Sequence, residues 1–238
     1  MQRRDLLKFI AGIYGLYSID LFARDKKTLK KDIQESKKEK KISSLKKSCF
    51  IGIGGGGTNI IEDISKLDNK HIFISMNSDK QSLEQKKSKH KILLGWNKNA
   101  GLGCGGKDTC GRNLITDDLK QSLEQLTKNI NQIYVIATLG GGVGSGATPE
   151  IAEFLKSLDK QVVVFVTLPF NFEGKIRSNI AYKALEKIKL QTDGLIVLKN
   201  DDLINGYKNK SLGIKDTFKM TSASIYKKVC DENCIKQT

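Results

Sequence analysis

Proline is scarce in this chain, two residues in 238. With no other compositional extreme, most of the length reads as ordinary globular sequence. No apolar run reaches the roughly 20 residues that a membrane-spanning helix needs; the longest candidate, Phe9 to Ala23, is interrupted by Asp20. The pattern Gly-x-x-x-x-Gly-Lys-Ser/Thr is missing, which excludes a P-loop. Histidine is limited to His71 and His90, neither with a partner at ligand spacing. The five cysteines show no zinc-type spacing, and their odd number argues against a complete disulfide framework. Small, buried cysteine is therefore the expectation, with Cys230 and Cys234 free to share a helix face, or to be bridged if the chain is exported.

What is present begins with positive charge. The formal net charge is +15 and 39% of the residues are hydrophobic, enough for one sizeable core, or one domain plus a tail. Residues 1 to 49 hold 14 Lys/Arg against 6 Asp/Glu, so more than half of the excess lies in the first fifth of the chain. Within it, residues 1–23 open with Arg3, Arg4, Leu6, Leu7 and Lys8 before the apolar stretch, a start similar to a bacterial twin-arginine export signal. A small-x-small cleavage site is lacking, and the alternative is an amphipathic segment lying on a membrane or on the protein itself. Residues 24–48 are lysine-rich with few large apolar groups, so they read as a solvated linker or frayed helix. Each of these lysines would add about 1 kcal/mol of attraction to an anionic leaflet. No aromatic residues are interleaved to stack bases, so nucleic acid is not an expected partner.

From Cys49 the pattern changes to strand, glycine turn and helix. CFIGI leads through Gly54 to Gly57 into a run whose Ile60, Ile61, Ile64 and Leu67 repeat at helical spacing. Further strand-like runs are His71 to Met76, Ile133 to Leu139, Val162 to Leu168 and Gly194 to Leu198, separated by helix-like segments such as Pro149 to Leu158. Continuous apolar strands alternating with helices predict a parallel sheet covered on both faces. Ligands of such sheets bind beyond the carboxyl ends of the strands, where the glycine turns fall.

Three of these turns are glycine-rich: residues 52–57, 101–106 and 140–146. The first matches Gly-x-Gly-x-x-Gly, with Asp79 22 residues after Gly57, and alone would suggest NAD. Yet a dinucleotide's pyrophosphate needs one such turn. Three sets of unobstructed backbone N–H groups suit a nucleoside triphosphate better.

Taken in order, IGIGGGGTN (51 to 59), NSDKQSL (77 to 83), GLGCGG (101 to 106), GGGVGSG (140 to 146), PFNFEGKIR (169 to 177), NDDL (200 to 203) and DTFKMTSASIYKKV (216 to 229) carry a family resemblance. Residues 49–229 resemble the nucleotide-binding domain of the tubulin/FtsZ family of polymerising GTPases, with residues 230–238 as a tail. The resemblance implies an α/β fold, a Rossmann-like three-layer parallel sheet with helices on both faces, and GTP or GDP as ligand, with Mg²⁺. It places Gly55, Gly56 and Asn59 on the phosphates and base edge, and Gly105 and Gly106 near the γ-phosphate. Gly141, Gly142, Gly144, Ser145 and Gly146 would wrap the α- and β-phosphates. Glu173 and Arg177, taken as four apart on one helix face, would reach the ribose, Asn200 would read the base, and Phe218 would stack on it. No residue of this chain is assigned a catalytic role or a metal.

Departures from the family pattern carry their own expectations. Val143 stands where the family has a threonine, removing a hydroxyl. Alignment through Asp216 and Phe218 puts Ser222 and Ala223 where the family has an Asn-Asp pair whose acid accepts from guanine, which predicts weakened guanine preference. The chain ends where the family continues into an activating loop and second domain, so an acid supplied by a neighbouring subunit would be needed for hydrolysis. Three functions follow as alternatives: an FtsZ-like GTP-binding protein with weak or conditional hydrolysis, associating with itself or with full-length FtsZ; a non-hydrolysing regulator or filament-end capper; or an exported domain that binds no nucleotide. Localisation divides the same way, since the N-terminus suggests export or membrane association and the nucleotide site suggests the cytoplasm.

Overall fold

The computed structural model describes residues 47–205 and 214–235. The export-like segment 1–23, all but the last two residues of the lysine-rich segment 24–48 and the end of the tail, 236–238, lie outside the described residues. Residues 47–226 form one compact unit, and residues 227–235 belong to a second and continue the last helix.

Six strands form one wholly parallel sheet: β1 (Cys49–Ile53), β2 (Ile72–Asn77), β3 (His90–Leu93), β4 (Gln132–Thr138), β5 (Gln161–Leu168) and β6 (Gly194–Lys199). Their spatial order is β3-β2-β1-β4-β5-β6. β1, β4 and β5 are central and almost fully buried, which is why they are continuous runs of Ile, Val, Phe and Ala rather than alternating ones. The sequence pattern located five of the six strands. β3, HKIL, has a single sheet neighbour, β2, and its residues are half-buried or exposed. A four-residue edge strand carrying lysine gives almost no apolar signal.

Alternation along β1 divides the core in two. Cys49, Ile51 and Ile53 point to one face, where α6 (Gly142–Ser157), α7 (Lys175–Leu190) and α5 (Asp117–Thr127) contribute Ile151, Leu155, Ile188 and Leu123 to a single cluster. Phe50 and Gly52 point to the other. There Phe50 stacks on Phe73 at 5.2 Å and meets Tyr134 at 5.0 Å, and Tyr134 continues to Phe165 at 6.2 Å. A Cβ on Gly52 would come within 2.9 Å of Ile61 Cδ1, so α1 (Gly54–Leu67) covers this face. Four aromatic rings and the buried Ile60, Ile61 and Ile64 each contribute on the order of 2 kcal/mol by removing apolar surface from water. The sheet is therefore covered on both sides by helices, the three-layer arrangement expected.

At the end of α1 remote from the glycine turns, Asp68, His71 and Tyr226 form a polar clasp. The Tyr226 hydroxyl donates to Asp68 at 3.1 Å and tethers α9 (Ile214–Ile235) to the end of α1. Ser48 N–H donates to His71 Nδ1 at 3.3 Å, and His71 Nε2 faces Asp68 at 3.7 Å. Burial pushes the His71 imidazole below its ordinary value of 6.5, opposed by Asp68 and aided by Lys70. Burial pushes the Asp68 carboxyl up, but the Lys70 N–H, the Tyr226 hydroxyl and the nearby positive charges outweigh it and hold the group below 3.8.

Candidate functional site

Because every strand runs the same way, all the strand-to-helix turns open on one edge of the sheet. Close approaches at glycines draw two of these turns together with two further segments. A Cβ on Gly54 would lie 3.2 Å from Gly144 N, one on Gly142 would lie 2.8 Å from Cys104 Cβ, and one on Gly140 would lie 3.3 Å from the Arg177 carbonyl. The turns after β1 and β4, the 101–106 loop and the start of α7 thus converge.

GGGVGSG is less of a loop than its composition predicts. Only Gly140 and Gly141 form the turn, while Gly142 to Gly146 are the first residues of α6 and Pro149 sits inside that helix. Likewise Gly54 to Gly57 are the first turn of α1. Packing overrides helix propensity at these positions. A Cβ on Gly144 would stand 2.2 Å from the Thr138 carbonyl, on Gly146 2.0 Å from the Asp108 carbonyl, and on Gly57 2.3 Å from the Ile136 carbonyl. These glycines let helix backbone lie directly against neighbouring backbone. Gly142 and Gly56 belong with them, the latter against the Thr138 side chain at 2.3 Å.

Gly55, Gly141, Gly105 and Gly106 are different, because a Cβ there would meet nothing within 4 Å. Gly105 and Gly106 have φ of +54° and +80°, which accounts for glycine at both. No such backbone reason applies to Gly55 or Gly141. Both begin helices, of 14 and 16 residues, that have no side-chain N-cap and no acid in the first turn. By contrast the shorter helices α2 (Lys80–Glu84) and α5 are capped by Asp79 and Thr116. Uncapped N-termini leave backbone N–H donors and the positive end of the helix dipole available to an anion. The glycines beside them keep the approach clear.

The side chains around this edge are engaged to different degrees. Ser145 is buried, and its Oγ accepts from Gly140 N–H at 2.8 Å, fixing the turn. Glu173 and Arg177 do not share one helix. Glu173 ends a 3-10 turn (Asn171–Glu173), Gly174 with φ +94° intervenes, and Arg177 lies in the first turn of α7. They nevertheless pair, with Arg177 Nη1 donating to Glu173 Oε2 at 2.6 Å while Glu173 Oε1 accepts from Phe170 N–H at 2.9 Å. Asn200 opens α8 (Asn200–Asn205) beyond the end of β6 and is 4% exposed, and its Oδ1 has no hydrogen-bond partner among the described residues. A buried acceptor left unpaired is unfavourable by roughly 1 to 3 kcal/mol; Gln132 Nε2, at the start of β4, is the other such atom among the described residues. Phe218 is half-buried on α9.

Asn59 is exposed on α1, and its Oδ1 accepts from Lys86 Nζ, which also faces Glu62 Oε2 at 3.7 Å. Nothing in the sequence singled out Lys86, since lysines are common in this chain and the contact spans 27 residues.

The expectation of separate cysteines is corrected as well. Cys104 and Cys110 are not separate buried thiols but are joined as a disulfide, their Cα atoms 5.6 Å apart, linking the 101–106 loop, which follows α3 (Trp96–Asn99), to α4 (Asp108–Asn113). Six residues separate them, and the turn through Gly105 and Gly106 folds them together. Cys49 does behave as the expected buried thiol, its pKa raised by burial to about 12. Val143 is 7% exposed and packs in the main core cluster with Cys104 and Leu114, so its side chain serves packing.

Fold and site together define a doubly wound α/β protein whose carboxyl edge carries uncapped helix N-termini and open glycines. Comparison with known proteins gives the class its name. Residues 47–208 match the model of the tubulin/FtsZ family, GTPase domain, and the chain belongs to that family. It is 38% identical over 155 residues to the cell division protein FtsZ of Neisseria gonorrhoeae, covering 65% of this chain and 39% of the relative. It is 35% identical over 181 residues to FtsZ of Aquifex aeolicus, covering 75% of this chain and 48% of the relative. The chain therefore spans less than half the length of these curated relatives. A solved FtsZ dimer of M. jannaschii superimposes with a TM-score of 0.71 at 29% identity, over 86% of this chain and 58% of that one.

Proposed function

We propose that this chain binds a guanine nucleotide, with its phosphates on the N-termini of α1 and α6 beside Gly55 and Gly141. The observation that carries the reading is glycine at these two positions, where neither backbone conformation nor a neighbouring atom requires it. Gly105 and Gly106 would line the far end of the phosphate chain. The Glu173–Arg177 pair would meet the ribose, its carboxylate accepting from sugar hydroxyls. The unpaired Asn200 Oδ1 and the Phe218 ring would take the base.

Among the described residues no group of three His, Cys, Asp or Glu side chains is placed to hold a metal. A Mg²⁺ ion would then take its ligands from phosphate oxygens and water, as it commonly does. No catalytic residue is assigned on this chain. Phosphoryl transfer needs an oriented water, and an acid from a neighbouring subunit would supply the orientation, so turnover is proposed to be weak for the isolated protomer and to rise on self-association. That the M. jannaschii relative was solved as a dimer supports the association. The lysines of residues 24–48, all but Lys47 outside the described residues, are proposed to draw the domain toward an anionic membrane surface.

Isothermal titration of the purified chain with GTP, GDP and ATP tests the reading. Saturable one-to-one binding of GTP and GDP is expected. Absence of binding by all three refutes it, and turnover unchanged across protein concentration refutes the dependence on association.

A further inference from the structure

In the resemblance that identifies the family, an acid on the central helix accepts from guanine. This chain has Ala223 there, buried and without a polar atom on its side chain. We propose that Asp63, carried by α1, supplies the missing carboxylate, so that the N1–H and N2–H edge of guanine is read from α1 and not from α9. The assignment rests on the nucleotide reading above and names what selects the base.

Gly55, Asn59 and Asp63 stand four residues apart on α1 and so form one stripe along its face. Gly55 and Asn59 are exposed and Asp63 is half-buried. At a rise of 1.5 Å per residue the stripe runs about 12 Å from Gly55, where the anion is placed, to Asp63. Across from its far end lies α9. Phe218 and Ser222 are one turn apart on that helix, and Ser222 Oγ is 3.0 Å from the Phe218 carbonyl oxygen and 3.5 Å from Asp63 Oδ2. The carboxylate therefore sits beside the turn of α9 that begins with the stacking ring.

Its other partner is Lys66, which donates to Asp63 Oδ1 at 2.8 Å. Both side chains are substantially solvent-exposed, 60% for Lys66 and 33% for Asp63, and exposed pairs contribute little. A carboxylate offers about four lone-pair positions, so Ser222 and Lys66 leave acceptor capacity for a ligand. Among the other polar groups of this face, Asn59 Oδ1 and Glu62 are both turned to Lys86. Guanine presents N1–H and N2–H side by side, which two carboxylate oxygens accept as a charge-assisted pair. Adenine presents a lone pair at N1 to the same oxygens and is repelled. Polar recognition of this kind is what gives a pocket large discrimination.

Titration of the full chain with GDP, ADP and xanthosine diphosphate distinguishes the assignment from a merely structural Asp63–Lys66 helix pair. The wild-type chain is expected to favour GDP over ADP by at least about 100-fold. Asp63→Asn presents one acceptor and one donor, which match N1–H and the C2 carbonyl of xanthine. It is expected to weaken GDP roughly 10- to 100-fold, the range for a lost charged hydrogen bond, and to bind xanthosine diphosphate more tightly than wild type. Lys66→Ala is expected to leave GDP within about threefold. The assignment is overturned if Asp63→Asn keeps the wild-type preference, if it weakens all three nucleotides equally at unchanged melting temperature, or if Lys66→Ala reproduces its effect. A wild-type chain that binds GDP and ADP equally also overturns it, leaving nucleotide binding intact. A wild-type chain that binds none of the three refutes the nucleotide reading itself.

Discussion

Alanine at Gly55 and at Gly144 should have opposite effects, because the same methyl group meets open space at one and backbone at the other. At Gly144 the new Cβ would lie 2.2 Å from the Thr138 carbonyl oxygen, about 1.2 Å inside ordinary van der Waals contact. Neither α6 nor the end of β4 can yield that much without disturbing the core, so the destabilisation should reach the upper end of the overpacking range, about 3 kcal/mol. For a domain of this size each kcal/mol shifts Tm by about 2 to 4 °C, giving a fall of roughly 6 to 12 °C. At Gly55 no atom lies within 4 Å, and replacing a helical glycine by alanine gains about 0.5 to 1 kcal/mol. Its Tm without nucleotide should rise by roughly 1 to 4 °C. GDP affinity should nonetheless fall at least tenfold, as the methyl enters the space in front of the α1 N–H groups. Thermal melts without ligand and titration calorimetry with GDP measure both quantities. A Gly55→Ala chain with wild-type affinity would refute the claim that this glycine exists to admit a ligand. A Gly144→Ala chain with wild-type Tm would refute the division of the glycines into two kinds.

Asn200→Leu removes the unpaired buried acceptor at similar volume, and should hold or raise the Tm of the free protein by about 2 to 4 °C while reducing GDP affinity at least tenfold, by the same two assays. The His71 imidazole titrates below 6.5 in the folded chain, so the unfolded chain takes up more protons as pH falls through 6.5 and stability declines. Urea melts between pH 8 and 5 should show the decline, and His71→Gln should flatten it. Asp68, held below 3.8, adds a separate loss of stability only as pH falls past that value. Trypsin cuts after Lys107, between Cys104 and Cys110, so the two fragments should travel as one mass until a reductant separates them. Reduction of the intact chain should destabilise it by about 2 kcal/mol, the range for closing so short a loop.

The central strands were legible because burial on both faces forces continuous β-branched and aromatic runs, as in VVVFVTL, and the glycine turns were legible as strand-to-helix connections on one edge of the sheet. Their internal geometry was not. Composition cannot separate Gly144, needed so that two backbones touch, from Gly141, needed so that nothing does. Pro149 marked a helix start by its usual preference for the first turn, yet α6 begins at Gly142, because packing against Thr138 and Asp108 overrides the low helix propensity of glycine. Cys104 and Cys110 gave no spacing signal, since the turn that joins them depends on the positive φ of Gly105 and Gly106. Lys86 meets Asn59, and Asp63 meets Ser222, across 27 and 159 residues, separations that no local pattern marks.

The strand order also sets a timetable. β1 is the first strand among the described residues and one of the innermost, and its second neighbour, β4, comes only when Ile133 can align with Cys49, 84 residues later. At 5 to 20 residues per second a ribosome would extrude that interval in roughly 4 to 17 s. Through that time β1 has β2 on one flank and an open hydrogen-bonding edge on the other, flanked by Phe50, Ile51 and Ile53. Distant parallel pairing is slow to form and exposed to misassociation. A nascent chain arrested before β4 should therefore engage a holdase chaperone, and release should coincide with emergence of residues 132–138.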